Sequence, residues 1–182
     1  EVRWQSANQS THFGWATPAI APDGTILVTG ASRAPPDDLG ARRRPAGTDE
    51  AHGVTALFAF MPFDGVLRWR FQLQHGVVLG SPACDGERVY FGTSSGYMYA
   101  VAQRSGTEVW RYRGYGDCSA TPALVNATAV FVCNSGSMVW SSYVHFLHAA
   151  SGERVYYDYS WFGGAWAEPV ANANGTVHIA LG

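Results

Sequence analysis

Residues 81–112 read SPACDGERVYFGTSSGYMYAVAQRSGTEVWRY, and this stretch decides the fold. It opens on Pro82 and passes through an Asp85-Gly86 turn into an apolar run that ends at Gly92. A second apolar run contains Ala100, and Gly106 is then followed four residues later by Trp110. Turn residues thus separate short runs of β-branched and aromatic residues, the pattern of four antiparallel strands joined by tight turns.

Working outward, the same text recurs. DGVLRWRF (64–71) and SGERVYYDY (151–159) repeat the Gly-to-aromatic step, from Gly65 to Trp69 and from Gly152 to Tyr156. Trp4 in EVRW ends an earlier copy. Trp69 to Trp110 is 41 residues and Trp110 to Tyr156 is 46. The 65 residues from Trp4 to Trp69 reduce to the same period once residues 31–53, rich in Pro, Arg, Asp and Gly, are set aside as an inserted loop. A second landmark, Pro18, Pro82, Pro122 and Pro169, advances by 64, 40 and 47, in step with the aromatics. Ala59 and Ala100 lie six residues before the repeat Gly, where the third copy has Phe146. Each period is predicted to hold four strands. The first runs into the Pro, the second ends at Gly30, Gly92, Asn134 or Gly182, the third holds the Ala, and the fourth holds the aromatic. The expected hairpin turns are Asp23-Gly24, Asp85-Gly86 and Asn174-Gly175.

Four antiparallel strands in about 40 residues make one propeller blade. The fold class is therefore all-β, with about three and a half blades across residues 1–182. A single blade has two apolar faces and buries neither alone, so large aromatics must fill the space between neighbours.

The Ala-x5-Gly-x3-Trp pattern after an SPA…VYFGT strand pair resembles the pyrroloquinoline-quinone (PQQ)-type propeller repeat, over the whole chain except the insertion. No Trp-Asp pair closes a blade, as a WD-type repeat would require. The resemblance implies that Trp4, Trp69 and Trp110 dock each blade on the next, with Tyr156 as a departure at the fourth position. It also implies a ring with more blades than this chain supplies. The chain starts at Glu1 inside a repeat copy, without an initiator Met or a signal peptide, and stops two strands into a blade. It is expected to be a processed or excised piece, completed by further blades or by a partner protein.

Composition narrows the function. The formal net charge is -2, which offers no field attractive to nucleic acid or an anionic membrane. All twelve basic residues are Arg, a bias read as codon usage, and only Arg42–Arg44 are locally dense. The longest apolar run, from Thr55 to Phe63, is half of what a membrane helix needs and is broken by Pro62. No membrane insertion is expected.

Among the three cysteines, a register centred on Asp85-Gly86 pairs residues whose numbers sum to 171. Shifted by the 40-residue period the sum becomes 251, which sets Cys118 opposite Cys133. These two form either a disulfide or a pair of buried thiols. Cys84 has no evident partner. Asn8, Asn126 and Asn174 head N-x-S/T sequons, and the last two fall on equivalent hairpin tips. They read as glycosylation sites of a secreted or luminal chain, or simply as good turn residues.

Enzyme chemistry finds little purchase. In PQQ-dependent dehydrogenases the quinone is held by an adjacent Cys-Cys disulfide, a stacking Trp and a calcium ion; this chain has no adjacent cysteines. Asp23, Asp64, Asp85 and Asp117 are scattered over turns. His145 and His148 lie three apart, on opposite faces of a strand, and make poor joint metal ligands. No phosphate loop, nucleophile elbow or zinc-helix motif is present. Tyr157, Tyr159, Trp161, Phe162 and Trp166 form an aromatic cluster that is read as blade-junction core or as a binding platform. No catalytic, cofactor or metal residues are assigned. The expected function is a non-enzymatic scaffold or protein-interaction module of a larger assembly. The alternative is a fragment of a PQQ-dependent oxidoreductase, and only that reading brings PQQ and calcium.

Overall fold

Apolar runs such as VYFG and YMYAVA show no alternation because both faces of each sheet are covered. The computed structural model describes residues 11–13, 16–32, 54–135, 141–160 and 168–180. All regular structure there is antiparallel β. The first sheet contains β1 (Thr11–Phe13), β2 (Ala19–Ile20), β3 (Ile26–Ser32), β4 (Val54–Phe60) and β5 (Leu67–Gln72). The second blade is β6 (Ala83–Cys84), β7 (Arg88–Gly92), β8 (Tyr97–Ala102) and β9 (Glu108–Arg113). The third is β10 (Ala123–Val125), β11 (Thr128–Asn134), β12 (Ser142–His148) and β13 (Arg154–Ser160). A two-stranded hairpin of β14 (Val170–Ala171) and β15 (Val177–His178) begins a fourth. Strands within each blade pair in chain order. The short first strands β6, β10 and β14 approach one another and mark the inner side of the arc.

Period-2 alternation sorts each central strand between two interfaces. Val89, Phe91, Tyr99 and Val101 of the second blade pack with Leu27, Leu57, Ala59 and Trp69 of the first. Their neighbours Tyr90, Met98 and Ala100 turn the other way, onto Ala129, Phe131 and Leu147 of the third. Val130, Val132 and Val144 then meet the fourth hairpin through Ala171, Val177 and Ile179.

Several strand details differ from expectation. The landmark Pro stands just before the first strand rather than at its end, since β2 and β6 start one residue after Pro18 and Pro82. β3 runs past Gly30 through Ala31 and Ser32, so the first two residues assigned to the insertion pair with β4. The first sheet also carries an additional strand, because β1 pairs with the far end of β3.

The hairpin register is corrected as well. Ala83 faces Tyr90 and Cys84 faces Val89, a sum of 173 rather than 171. The turn is centred one residue later, on Gly86-Glu87, and Asp85 Oδ1 caps it by accepting the amides of Glu87 (2.8 Å) and Arg88 (2.7 Å). Asp85 N–H donates to the Arg88 carbonyl (3.2 Å), so the loop is still two residues long, like Asn126-Ala127 in the third blade. The third blade has the matching sum of 253 at Ala123–Val130. Further along, Asp117 bridges Asn134, which restores 251. Two extra residues between Asp117 and Ala123 cancel the turn's offset. The expected juxtaposition of the two cysteines is met for a reason the turn arithmetic did not contain.

Candidate functional site at the blade joints

The repeat Gly and Trp are two halves of one contact. Gly106 (φ 70°) and Gly152 (φ 73°) sit in the turn between the third and fourth strands, in a conformation that disfavours a side chain. A Cβ on Gly106 would lie 2.6 Å from the Trp69 ring, and one on Gly152 would lie 2.6 Å from Trp110. Each indole therefore lies flat on the Gly of the following blade. Its N–H completes the dock: Trp69 Nε1 donates to the Gln103 carbonyl (2.7 Å) and Trp110 Nε1 to the Ala149 carbonyl (2.9 Å). Both rings are buried, at 8% and 7% exposure. Tyr156 is 58% exposed and lies tilted against Phe146 of its own blade, with ring centroids at 5.8 Å. The strands that would carry the next repeat Gly are not part of the fourth hairpin. Trp4 lies outside the described residues.

A second set of contacts explains the Pro landmark, and sequence reasoning missed it. The residues before Pro82, Pro122 and Pro169 link the inner strands of neighbouring blades. Ser81 N–H donates to Thr121 Oγ1 (2.9 Å), and the Thr121 hydroxyl in turn donates to Glu168. The visible signal is that Thr17, Ser81, Thr121 and Glu168 all precede the Pro.

At the joint between the second and third blades, Cys118 and Cys133 form a disulfide with a Cα–Cα distance of 4.0 Å. Cys118 belongs to the connector between the blades, and its N–H donates to the Thr93 carbonyl of the second blade (3.0 Å). The bond thus ties the connector to β11. Cys84 is free and half-buried. Burial first, and then the carboxylates of Asp85 and Asp23, push its thiol above the ordinary range, away from thiolate chemistry. Near the same joint Tyr90 donates to Asp85 Oδ2 (2.7 Å) and reaches the Ala149 carbonyl (3.2 Å). Burial opposes ionisation of Asp85, but the Tyr90 bond and the two amides outweigh it and hold the carboxyl below its usual value.

His145 is buried in this joint and His148 is exposed, as opposite faces of β12 require. Tyr143, Tyr157 and Tyr159 line the same face as His145, with Tyr143 and Tyr159 at 4.7 Å; Tyr157 is exposed. Trp161, Phe162 and Trp166 lie outside the described residues, as does Asn8. Asn126 is exposed at the β10–β11 tip with φ 51°, and Asn174 is exposed at the β14–β15 tip. The two tips touch, since the Asn126 side-chain amide packs against Gly175. The turn is organised by Asn172, whose Oδ1 accepts the amides of Asn174 and Thr176, rather than by Asn174-Gly175 alone.

A family model described as outer membrane protein assembly factor BamB, of the PQQ-repeat type, matches residues 1–181. The chain belongs to this BamB-type propeller family. No curated protein matches the sequence. Among solved structures, BamB from Moraxella catarrhalis is 18% identical with a TM-score of 0.66, over 98% of this chain and 46% of that one. A quinohemoprotein alcohol dehydrogenase from Comamonas testosteroni is also 18% identical, with a TM-score of 0.72, over 96% and 30%. The computationally designed Ika4 protein is 11% identical with a TM-score of 0.61, over 100% and 98%. These likenesses show the fold. This BamB-type chain spans less than half the length of the two natural proteins.

One of these solved structures is a quinohemoprotein, and the described residues of this chain differ from a quinone site of that kind. Their disulfide joins residues 15 apart rather than adjacent ones. No cluster of three or more His, Cys, Asp or Glu side chains among them is placed to hold a metal ion. The described residues of this BamB-type chain do not fit a quinone–calcium site.

Proposed function

We propose that this chain is a non-enzymatic propeller module that holds partner proteins in a larger assembly outside the cytosol. The observation that carries this reading is the outer corner between β4 and β5. Met61, Phe63, Val66 and Leu67 are all exposed there, Phe63 at 88%. The same positions hold Ala102, Arg104, Thr107 and Glu108 in the second blade, and His148, Ala150, Glu153 and Arg154 in the third. The turn geometry is shared, since Met61, Ala102 and His148 each donate to the carbonyl five residues on. A corner that carries four large apolar side chains in one blade and none at the same positions in two others supports a contact surface, because an exposed apolar cluster on a rigid edge is otherwise unfavourable. The disulfide supports an oxidising compartment, and the exposed Asn126 and Asn174 sequons support a secretory route in which they carry glycans. No helix among the described residues is long and apolar enough to cross a membrane.

The test is crosslinking in the native compartment with wild-type chain and a Phe63→Asp, Leu67→Asp variant. Loss of a discrete crosslinked partner in the variant supports the reading, and identical crosslinks from both remove the corner from it. Intact mass before and after glycosidase treatment tests the route; protein from its native source that shows no shift counts against it. The second reading, a quinoprotein dehydrogenase fragment, is favoured by the dehydrogenase likeness. Stoichiometric quinone absorbance after adding PQQ and calcium would establish it and overturn the scaffold.

A further inference from the structure

The joint between the second and third blades contains a buried ionisable group that the scaffold does not need. His145 is 1% exposed, and neither Nδ1 nor Nε2 has a hydrogen-bond partner among the described residues. The equivalent residue of the preceding blade is Tyr99, since Tyr99 pairs with Arg111 and His145 with Tyr157 at matching register. Tyr99 reaches Arg111 with its hydroxyl. His145 is too short for any such exit.

Its surroundings can be named element by element. From β12 itself comes Tyr143, with ring centroids at 6.4 Å, and from β9 comes Tyr112 at 5.6 Å. From β13 come Tyr157 at 6.3 Å and the Arg154 guanidinium. Tyr115 and Tyr159 lie one layer out, against Tyr143. β8 presents Met98, and β11 presents Phe131 opposite His145. The connector closes the box at Gly114, where a Cβ would stand 2.9 Å from Nε2 and 2.5 Å from the Met98 methyl. Among the described residues the one charge acting on the imidazole is therefore a cation, and an imidazolium has neither an acceptor nor a counter-ion among them. Solvating it requires the Gly114 connector to move. That connector is held four residues on by the Cys118–Cys133 bond.

We propose that this joint is an acid-responsive hinge latched by the disulfide: proton uptake at His145 opens the interface between the second and third blades, and the Cys118–Cys133 bond limits the opening. The direction follows from linkage. Burial first, and then Arg154, lower the His145 pKa from 6.5 to about 4. The closed joint is fully favoured above the ordinary value and loses that advantage as the pH falls from 6.5 towards 4, below which the loss levels off. Opening bares Tyr112, Tyr143 and the apolar residues beneath them, a surface absent at neutral pH.

Amide hydrogen exchange on the intact chain tests this against an internal control. Asn134 N–H donates to the Asp117 carbonyl (2.7 Å) at this joint, and its equivalent Ser94 N–H donates to the Val77 carbonyl (3.0 Å) at the preceding one. Between pH 7 and 4.5, after correction for intrinsic exchange, Asn134 should open roughly 50-fold more often while Ser94 does not change. His145→Phe and His145→Gln should abolish the difference, and reduction of the disulfide should enlarge it. Equal acceleration at both joints, or acceleration that persists in the variants, overturns the hinge. Acid opening that is the same in oxidised and reduced protein overturns the latch. An imidazole NMR titration of the wild-type chain needs no variant, and a midpoint near 6.5 in the closed state would also sink the proposal.

Discussion

The two complete joints share one skeleton and differ in chemistry. Both dock a Trp on a Gly and pair Ala59 with Trp69 or Ala100 with Trp110. Around that constant pair the first joint carries Leu57, Phe71, Leu73, Val78, Thr93 and Tyr99. The second carries Met98, Tyr112, Gly114, Cys118, Cys133 and His145 at the equivalent places. The first is an apolar seam, while the second replaces bulk with a covalent bond and introduces a titratable group. Docking geometry is thus independent of what fills the rest of the interface, so one joint can be specialised without disturbing its neighbour.

The largest effect should come from breaking what the joints share. Trp69→Ala and Trp110→Ala should each cost about 3–5 kcal/mol in urea unfolding, the expected cost of emptying a buried aromatic site. A large disparity between them would mean that the docks are not equivalent. Breaking what they do not share comes next. Reducing Cys118–Cys133, which closes a loop of 15 residues, should cost roughly 3 kcal/mol. Cys118→Val with Cys133→Thr, the residues of the first joint, should recover part of that by packing. Acidification from pH 7 to 4 should remove on the order of 2–3 kcal/mol through His145. His145→Phe should flatten the pH profile. Tyr90→Phe, which leaves Asp85 without its hydroxyl donor, should cost about 1 kcal/mol. Phe63→Ser should change stability by less than about 0.5 kcal/mol, because its side chain is already in water.

Blade number, strand order and both docking tryptophans were legible because each rests on residue type at a fixed spacing. The hairpin register was not. Asp85-Gly86 announces a turn, but the turn is centred one residue later, with the Asp85 carboxylate outside it as a cap on the Glu87 and Arg88 amides. Asn172 hides the turn before Asn174 in the same way. The burial of His145 follows from its alignment with Tyr99, yet its missing hydrogen bonds do not, since they depend on the closeness of Gly114 and Met98. The link from Ser81 to Thr121 to Glu168 was in view as the residues before each Pro, and only coordinates reveal that they meet.

The dock between a Trp and the Gly of the next blade also has a direction in time. Trp69 emerges 37 residues ahead of Gly106, and Trp110 emerges 42 ahead of Gly152. At ribosomal speeds of roughly 5–20 residues per second, each indole waits some seconds with its seat not yet made. Every blade is completed by its successor, so the growing chain always trails one unfinished aromatic edge. At the equivalent place in the third blade stands the exposed Tyr156, with its smaller and more polar ring.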